Sequence, residues 1–214
     1  MPRQRKSRAE SQRERRERIL RVASELFAKR GLRNTPLWEI AEGAGMSHTQ
    51  VLALFGHTKD NIIVEVLRSS WEQANAVVRA IADDQTIDAK QKLRLLYRQT
   101  IRAVRDAGAA GVVAIMESRE FGELGEKFVQ AGLADFITLV DGMILEGQQQ
   151  GVFRSDLDVQ AVRQQLIGCG ENILLGWIWK EQTSYPADYG FDDACRVFDA
   201  FLNGLSMETS SDAP

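Results

Sequence analysis

The sequence predicts an all-α fold of about nine helices, and three observations predict it. Apolar residues recur three and four positions apart through most of the chain, and no stretch alternates with period two for long enough to be a strand. The breaks between the periodic runs carry Gly, Pro, Asp, Ser or Thr, which stop and start helices. At 214 residues the chain can hold one large domain or two modest ones, each with a real core.

The first stretch is basic. Arg3, Arg5, Lys6, Arg8, Arg13, Arg15, Arg16 and Arg18 are interrupted only by Glu10, Glu14 and Glu17. Residues 1–17 are therefore read as a basic arm, whose second part, from about Glu10, can continue into a helix through Glu–Arg pairs at helical spacing. Two uses stay open for it: a solubilising tail, or an arm that follows phosphates or enters a minor groove. Ile19, Leu20, Ala23, Leu26 and Phe27 then give one amphipathic helix, stopped at Gly31.

Thr35–Phe55 reads as two short helices joined by a tight turn. Thr35 is placed to cap a helix beginning at Pro36, where a missing N–H costs nothing. Leu37, Ile40, Ala41 and Ala44 make its apolar face, and Gly45 supplies the left-handed exit. Ser47 and Gln50 form a Ser-x-x-Gln capping box that starts the next helix, roughly His48 to Leu54. With Ile40, Met46, Val51 and Phe55 turned inward, His48, Thr49, Gln50 and Ala53 face out of its N-terminal half. A helix that enters a major groove reads base edges from those positions. Taken alone, the same pattern also fits a helical hairpin that binds a protein partner.

Charge supports the nucleic-acid reading. The net charge of −3 is unevenly spread: residues 1–59 hold 13 Lys and Arg against 6 Asp and Glu, and residues 60–214 hold 14 against 24. An electropositive module on an acidic body suits a protein with one DNA-facing end, because phosphate attraction is local.

The order of Phe27, Gly31, Thr35, Ile40-Ala41, Ala44-Gly45, Ser47, Phe55 and Lys59 resembles the DNA-binding domain of the TetR family of repressors, over residues 18–67. The resemblance implies a helix-turn-helix domain over 18–58, an effector-binding and dimerisation domain over 59–208 and a flexible tail at 209–214. It also implies a DNA-facing set made of Thr35, Ser47, His48, Thr49, Gln50, Leu52, Ala53, His57 and Lys59. This chain departs from the usual family pattern in three places: Thr49-Gln50 follows His48, Leu52 stands where Tyr is common, and Gly56-His57-Thr58 is one residue longer.

Thr58 and Asp60 start a long helix to about Asp83, with a stripe of Ile62, Ile63, Val66, Leu67, Trp71, Ala74, Val77, Val78 and Ile81. Leu93, Leu96, Tyr97, Thr100, Ile101 and Val104 define the next, ended by Asp106-Ala-Gly108. A short apolar segment covers 109–118, and a long helix is expected from Phe121 to about Gln150. Val159–Lys180 and Phe191–Ser206 complete the set.

The second half offers little to catalysis. His48 and His57 are the only histidines and both precede it, so no His-based triad or metal cluster can form there. No phosphate loop or dinucleotide glycine spacing occurs, and Cys169 and Cys195 lie outside any CxxC pattern. We expect no enzyme activity, no catalytic residues, no metal and no cofactor. No apolar run approaches the ~20 residues of a membrane span, and no signal-peptide core begins the chain, which predicts a cytoplasmic protein without a membrane partner.

Leu166–Trp179 is apolar nearly all round and must be covered on more than one side. Its own core, or a second copy, supplies the cover. In TetR-like proteins the last two helices pair across a dimer, and by position this resemblance implies an interface of Leu166, Ile173, Trp177, Phe198, Phe201 and Leu202. Glu171 and Asn172 interrupt the apolar run; they either hydrogen-bond across the dimer or cap a neighbouring helix, or they serve as the polar groups of an apolar pocket. Tyr97, Ile101, Met116, Arg119, Phe121, Phe128 and Phe136 are candidates for its wall. The expected partners are operator DNA, a small hydrophobic effector and the chain itself as a homodimer. MESREF and GVFRSDLD…GWIWKE weakly resemble family members that sense long-chain acyl-CoA.

Overall fold

A computed structural model of the chain describes residues 8–107, 126–127, 129–184 and 186–206. Eight α-helices lie among the described residues: α1 (Arg8–Arg30), α2 (Leu37–Gly43), α3 (His48–Phe55), α4 (Lys59–Ala82), α5 (Ala89–Ala107), α6 (Ala134–Gln149), α7 (Val159–Gln182) and α8 (Phe191–Gly204). No strand occurs among them; one isolated antiparallel bridge joins Phe153 to Ser206. The all-α expectation holds.

The described residues form two compact units. The first comprises 8–71 with 126–127 and 129–131, the second 72–107 with 132–184 and 186–206. The division falls inside α4, after Trp71.

In the first unit, Ile19, Ala23 and Phe27 of α1 meet Ile40 and Ala41 of α2, Val51 and Phe55 of α3, and Ile62, Ile63 and Leu67 of α4 in the core. α1 begins at Arg8, so residues 8–17, part of the expected arm, are helical. Residues 1–7 of that arm and the tail at 209–214 lie outside the described residues.

In the second unit α5 is the axle. It packs against α6, α7 and α8, burying Leu93, Leu96, Tyr97 and Ile101 against Val140, Met143, Ile144, Leu166, Leu174, Phe198 and Leu202. At its start Lys92, 0% exposed, gives its ammonium to the Ala82 carbonyl at the end of α4 and to both carboxylate oxygens of Glu146, each at 2.8 Å. A charge in a core survives only with such pairing. The long helix expected from Phe121 is not continuous where it is described: a π-helical turn at Val129–Leu133 precedes α6, and Gly132 holds φ 155°. That backbone is open to glycine and strained for other residues, so the run must break there. Asn75 braces the break by donating to the Gly132 carbonyl at 2.9 Å. The apolar segment at 109–118 lies outside the described residues.

Candidate nucleic-acid interface

The turn between α2 and α3 is built as its residues demand. The Gly45 N–H donates to the Glu42 carbonyl and that of Met46 to Ala41, while Gly45 takes φ +66°. Ser47 then opens α3 with a complete capping box: the Gln50 N–H donates to Ser47 Oγ at 3.2 Å and the Ser47 N–H to Gln50 Oε1 at 2.9 Å. Reciprocal bonds of this kind satisfy two N–H groups that a helix start otherwise leaves unpaired. Val51 and Phe55 are buried, which fixes the rotation of α3 and leaves His48, Thr49, Gln50 and Ala53 exposed along its N-terminal half. Leu52 is half-buried.

The box also engages the Gln50 side chain. Its carboxamide oxygen accepts from the Ser47 N–H, which leaves the amide NH2 and the oxygen's second lone pair for a base edge. His48, Thr49 and Ala53 carry no such tie among the hydrogen bonds of α3, and the free faces of the helix belong to them.

Three other expected DNA-facing residues have structural roles or unexpected backbones. Thr35 caps nothing. It is 0% exposed, and its hydroxyl donates at 2.8 Å to the Gly31 carbonyl, closing the end of α1. Pro36 occupies the N-cap of α2, without a side-chain cap. Lys59 is turned inward: its ammonium donates to the carbonyls of Leu32 at 2.6 Å and Thr35 at 2.9 Å, pinning the start of α4 to the α1–α2 loop. His57 is exposed and, with φ 72°, extends the left-handed turn begun by Gly56. The residue that lengthens this loop relative to the usual pattern is thus absorbed by two successive left-handed residues. Thr58 caps α4 as expected, accepting from the Asn61 N–H at 3.3 Å.

The structure adds two residues that pattern reading missed. Trp38, at the second position of α2, is 58% exposed, large and apolar beside the turn. Arg16, counted above with the arm, lies in α1 and is engaged at the far end of α3.

In the second unit five of the expected pocket residues are described. Tyr97 and Ile101 are core residues; the Tyr97 ring stacks on Phe198 at 3.8 Å and 5°. Burial raises the Tyr97 hydroxyl well above its ordinary pKa and pushes the Cys195 thiol up as well. Phe136 and Glu171 are half-buried, and Asn172 is exposed, its amide donating to the Gly168 carbonyl one turn back at 3.0 Å. Met116, Arg119, Phe121 and Phe128 lie outside the described residues. A cleft in this unit, of about 440 Å³, runs between α4 and α5 and is lined by Ala76, Val77, Ala80, Ile81, Leu95 and Gln99, with Asp84 beside them.

The expected dimer residues divide similarly. Leu166, Phe198 and Leu202 are buried within their own unit. Trp177 is half-buried and donates through Nε1 to the Tyr189 carbonyl at 3.0 Å, so the loop before α8 engages it. Ile173 and Phe201 are also half-buried. On α8 Val197 is 69% exposed and Ala200 is exposed, and on α7 Cys169 and Asn172 are exposed with Gly168 half-buried; all-round apolarity had not singled these positions out.

Comparison with known proteins gives a consistent picture. Residues 72–188 match the family model described as YsiA-like protein, C-terminal region, and residues 19–66 match bacterial regulatory proteins, tetR family. The chain is 24% identical to the fatty acid metabolism regulator protein of Bacillus subtilis over 167 residues, 77% of this chain and 84% of that one. It is 29% identical to the HTH-type transcriptional repressor KstR2 of Rhodococcus jostii over 148 residues, 68% of this chain and 71% of the relative. The crystal structure of FadR from Bacillus subtilis in complex with stearoyl-CoA shares the fold, with a TM-score of 0.74, 23% identity and coverage of 88% of this chain and 96% of that one.

Proposed function

This chain belongs to the TetR family of bacterial regulatory proteins, and from that premise we propose that it acts as a homodimeric repressor released from its operator by a long-chain acyl thioester. Family membership decides against the reading in which the helical hairpin serves only to bind a protein. The observation that carries the DNA reading is α3 itself: a capped helix, fixed in rotation by Val51 and Phe55, that offers His48, Thr49 and Ala53 to a major groove.

Dimerisation follows from the symmetry of such sites, since two recognition helices must meet half-sites ~34 Å apart on one face of the duplex. The outer side of α7 and α8, with Val197, Ala200, Gly168, Cys169 and Asn172, is the surface we assign to the partner copy. Small residues there permit close approach, and an exposed valine gains by being covered. Effector class is inferred from the relatives: one is a fatty acid metabolism regulator by name, and the related FadR structure holds stearoyl-CoA. The setting for these events is the cytoplasm; among the described residues no helix is long and apolar enough to cross a membrane.

Release requires the effector to prefer the state that cannot bind DNA, because a ligand with equal affinity for both states shifts nothing. We assign the transmission to α4, whose residues are shared between the two units. The test is fluorescence anisotropy on the duplex upstream of the chain's own coding sequence, with and without oleoyl-CoA. Specific binding that survives competitor DNA and is lost on adding oleoyl-CoA supports the proposal. Binding that competitor abolishes at every salt concentration overturns the operator reading, and specific binding indifferent to acyl-CoAs of all lengths overturns the effector class.

A further inference from the structure

The C-terminal end of α3 is held by side chains from two other helices. Arg16 of α1 donates from Nη1 to the Leu54 carbonyl at 2.5 Å, and its Nη2 lies 2.8 Å from the Glu65 carboxylate of α4. Its guanidinium also sits over the Phe55 ring, 4.3 Å from the centroid. Asn61, one turn before Glu65, donates to the carbonyls of Phe55 at 2.7 Å and Gly56 at 3.3 Å. Three successive carbonyls at this helix end, groups that no helix can satisfy internally, are thus taken by α1 and α4. A cation at that position is also favoured by the helix dipole. Arg13, one turn earlier on α1, pairs with Glu17 on the exposed surface of its own helix, so engagement of α3 is particular to Arg16.

We propose that Arg16 and Glu65 are positioning residues for operator recognition, which fix the angle of α3 against α1 and α4, and that Arg16 does not act as a phosphate contact. The fork of an arginine is what the geometry uses: one amino group for a carbonyl, the other for a carboxylate, and a flat face for an aromatic ring. A lysine supplies the charge but not the fork. Glu65 shares its carboxylate with Arg68, one turn further along α4, and so ties the clamp to the helix that continues past the division between the units. The inference rests on operator binding and is independent of which effector the protein senses.

Charge sign separates the clamp from a phosphate contact. Glu65→Gln removes a negative charge from the basic module, so electrostatics alone makes it bind every duplex more tightly. The clamp makes it bind the operator about three- to tenfold more weakly, with random DNA unchanged or tighter. Arg16→Lys keeps the charge and is expected to lose about tenfold on the operator with an unaltered salt slope, whereas loss of a phosphate contact in Arg16→Met would lower the slope by about 1. The probe is a duplex selected from a random pool by the wild-type chain, titrated by anisotropy at four salt concentrations beside a scrambled duplex. Melting curves by circular dichroism accompany each variant, and Glu65→Gln, a partly exposed site, keeps the test valid where Arg16→Met fails to fold. Tighter or unchanged operator binding by Glu65→Gln overturns the proposal. So does full operator affinity in Arg16→Lys.

Discussion

Each unit of this chain has an apolar core of its own, and the two differ in where directional bonds are added to it. In the first, side chains reach across to main-chain carbonyls: Thr35 to Gly31, Lys59 to Leu32 and Thr35, Asn61 to Phe55 and Gly56, Arg16 to Leu54. In the second, a larger apolar volume packs around α5, ion pairs such as Lys92–Glu146 and Arg163–Asp141 pin it, and side chains reach carbonyls mostly at its edges, Asn75 to Gly132 and Trp177 to Tyr189. Directional bonds fix where a short helix points, and packed volume fixes how much free energy holds a bundle together. A unit that must present α3 at one angle gains from the former. A unit that must hold four helices together gains from the latter.

That contrast breaks first, and furthest, in the second unit. Glu146→Leu leaves the Lys92 ammonium buried with the Ala82 carbonyl as its remaining hydrogen-bond acceptor, and should cost about 3–5 kcal/mol, the usual cost of orphaning a buried charge. Chemical denaturation checks it, and a loss below 1 kcal/mol would mean that Lys92 finds water. Phe198→Ala removes the ring stacked on Tyr97 and should cost about 3–5 kcal/mol by the same measurement. In both variants the first unit should keep its own hydrogen-exchange protection if its bonds are as self-sufficient as they look.

Smaller effects sharpen the comparison in the first unit. Thr49→Ala and His48→Ala should each cost about 1–3 kcal/mol on the operator and little on random duplex, with melting unchanged. Gln50→Ala does something different. Because Gln50 completes the capping box, it should destabilise α3 by about 1 kcal/mol and weaken all DNA binding together. Selective loss on the operator alone would show that Gln50 reads a base. The smallest signal is in pH. Burial raises the Tyr97 pKa above its ordinary value of 10.0, so the neutral phenol is favoured in the folded state. Its stabilisation is complete below about pH 10 and declines above it as the unfolded chain ionises first. Alkaline unfolding of the wild type should therefore be steeper above pH 10 than that of Tyr97→Phe.

What could be read in the sequence was local. The Ser47–Gln50 box, the Gly45 exit and the Thr58 cap each involve residues three or four apart, and periodicity placed the helices because burial imposes it on the chain. The clamps were invisible because their partners are remote: Lys59 reaches back 24 and 27 residues and Arg16 reaches forward 38. A basic residue among basic residues reads as surface charge until its partner is known. Pocket and dimer surfaces are not legible in apolar spacing for another reason. Apolar spacing shows that Leu166, Phe198 and Leu202 are covered, and one subunit's own core covers them.

The claim on which the rest depends is that one ligand site and one DNA site bias the same equilibrium. Linkage makes that claim reciprocal: whatever factor the effector takes from operator affinity, the operator must take from effector affinity. Oleoyl-CoA should be titrated into the full chain by calorimetry, once alone and once with saturating operator duplex. The account predicts weaker binding in the presence of operator, by the same factor that oleoyl-CoA weakens operator binding in the anisotropy assay. Equal acyl-CoA affinities in the two titrations would contradict it.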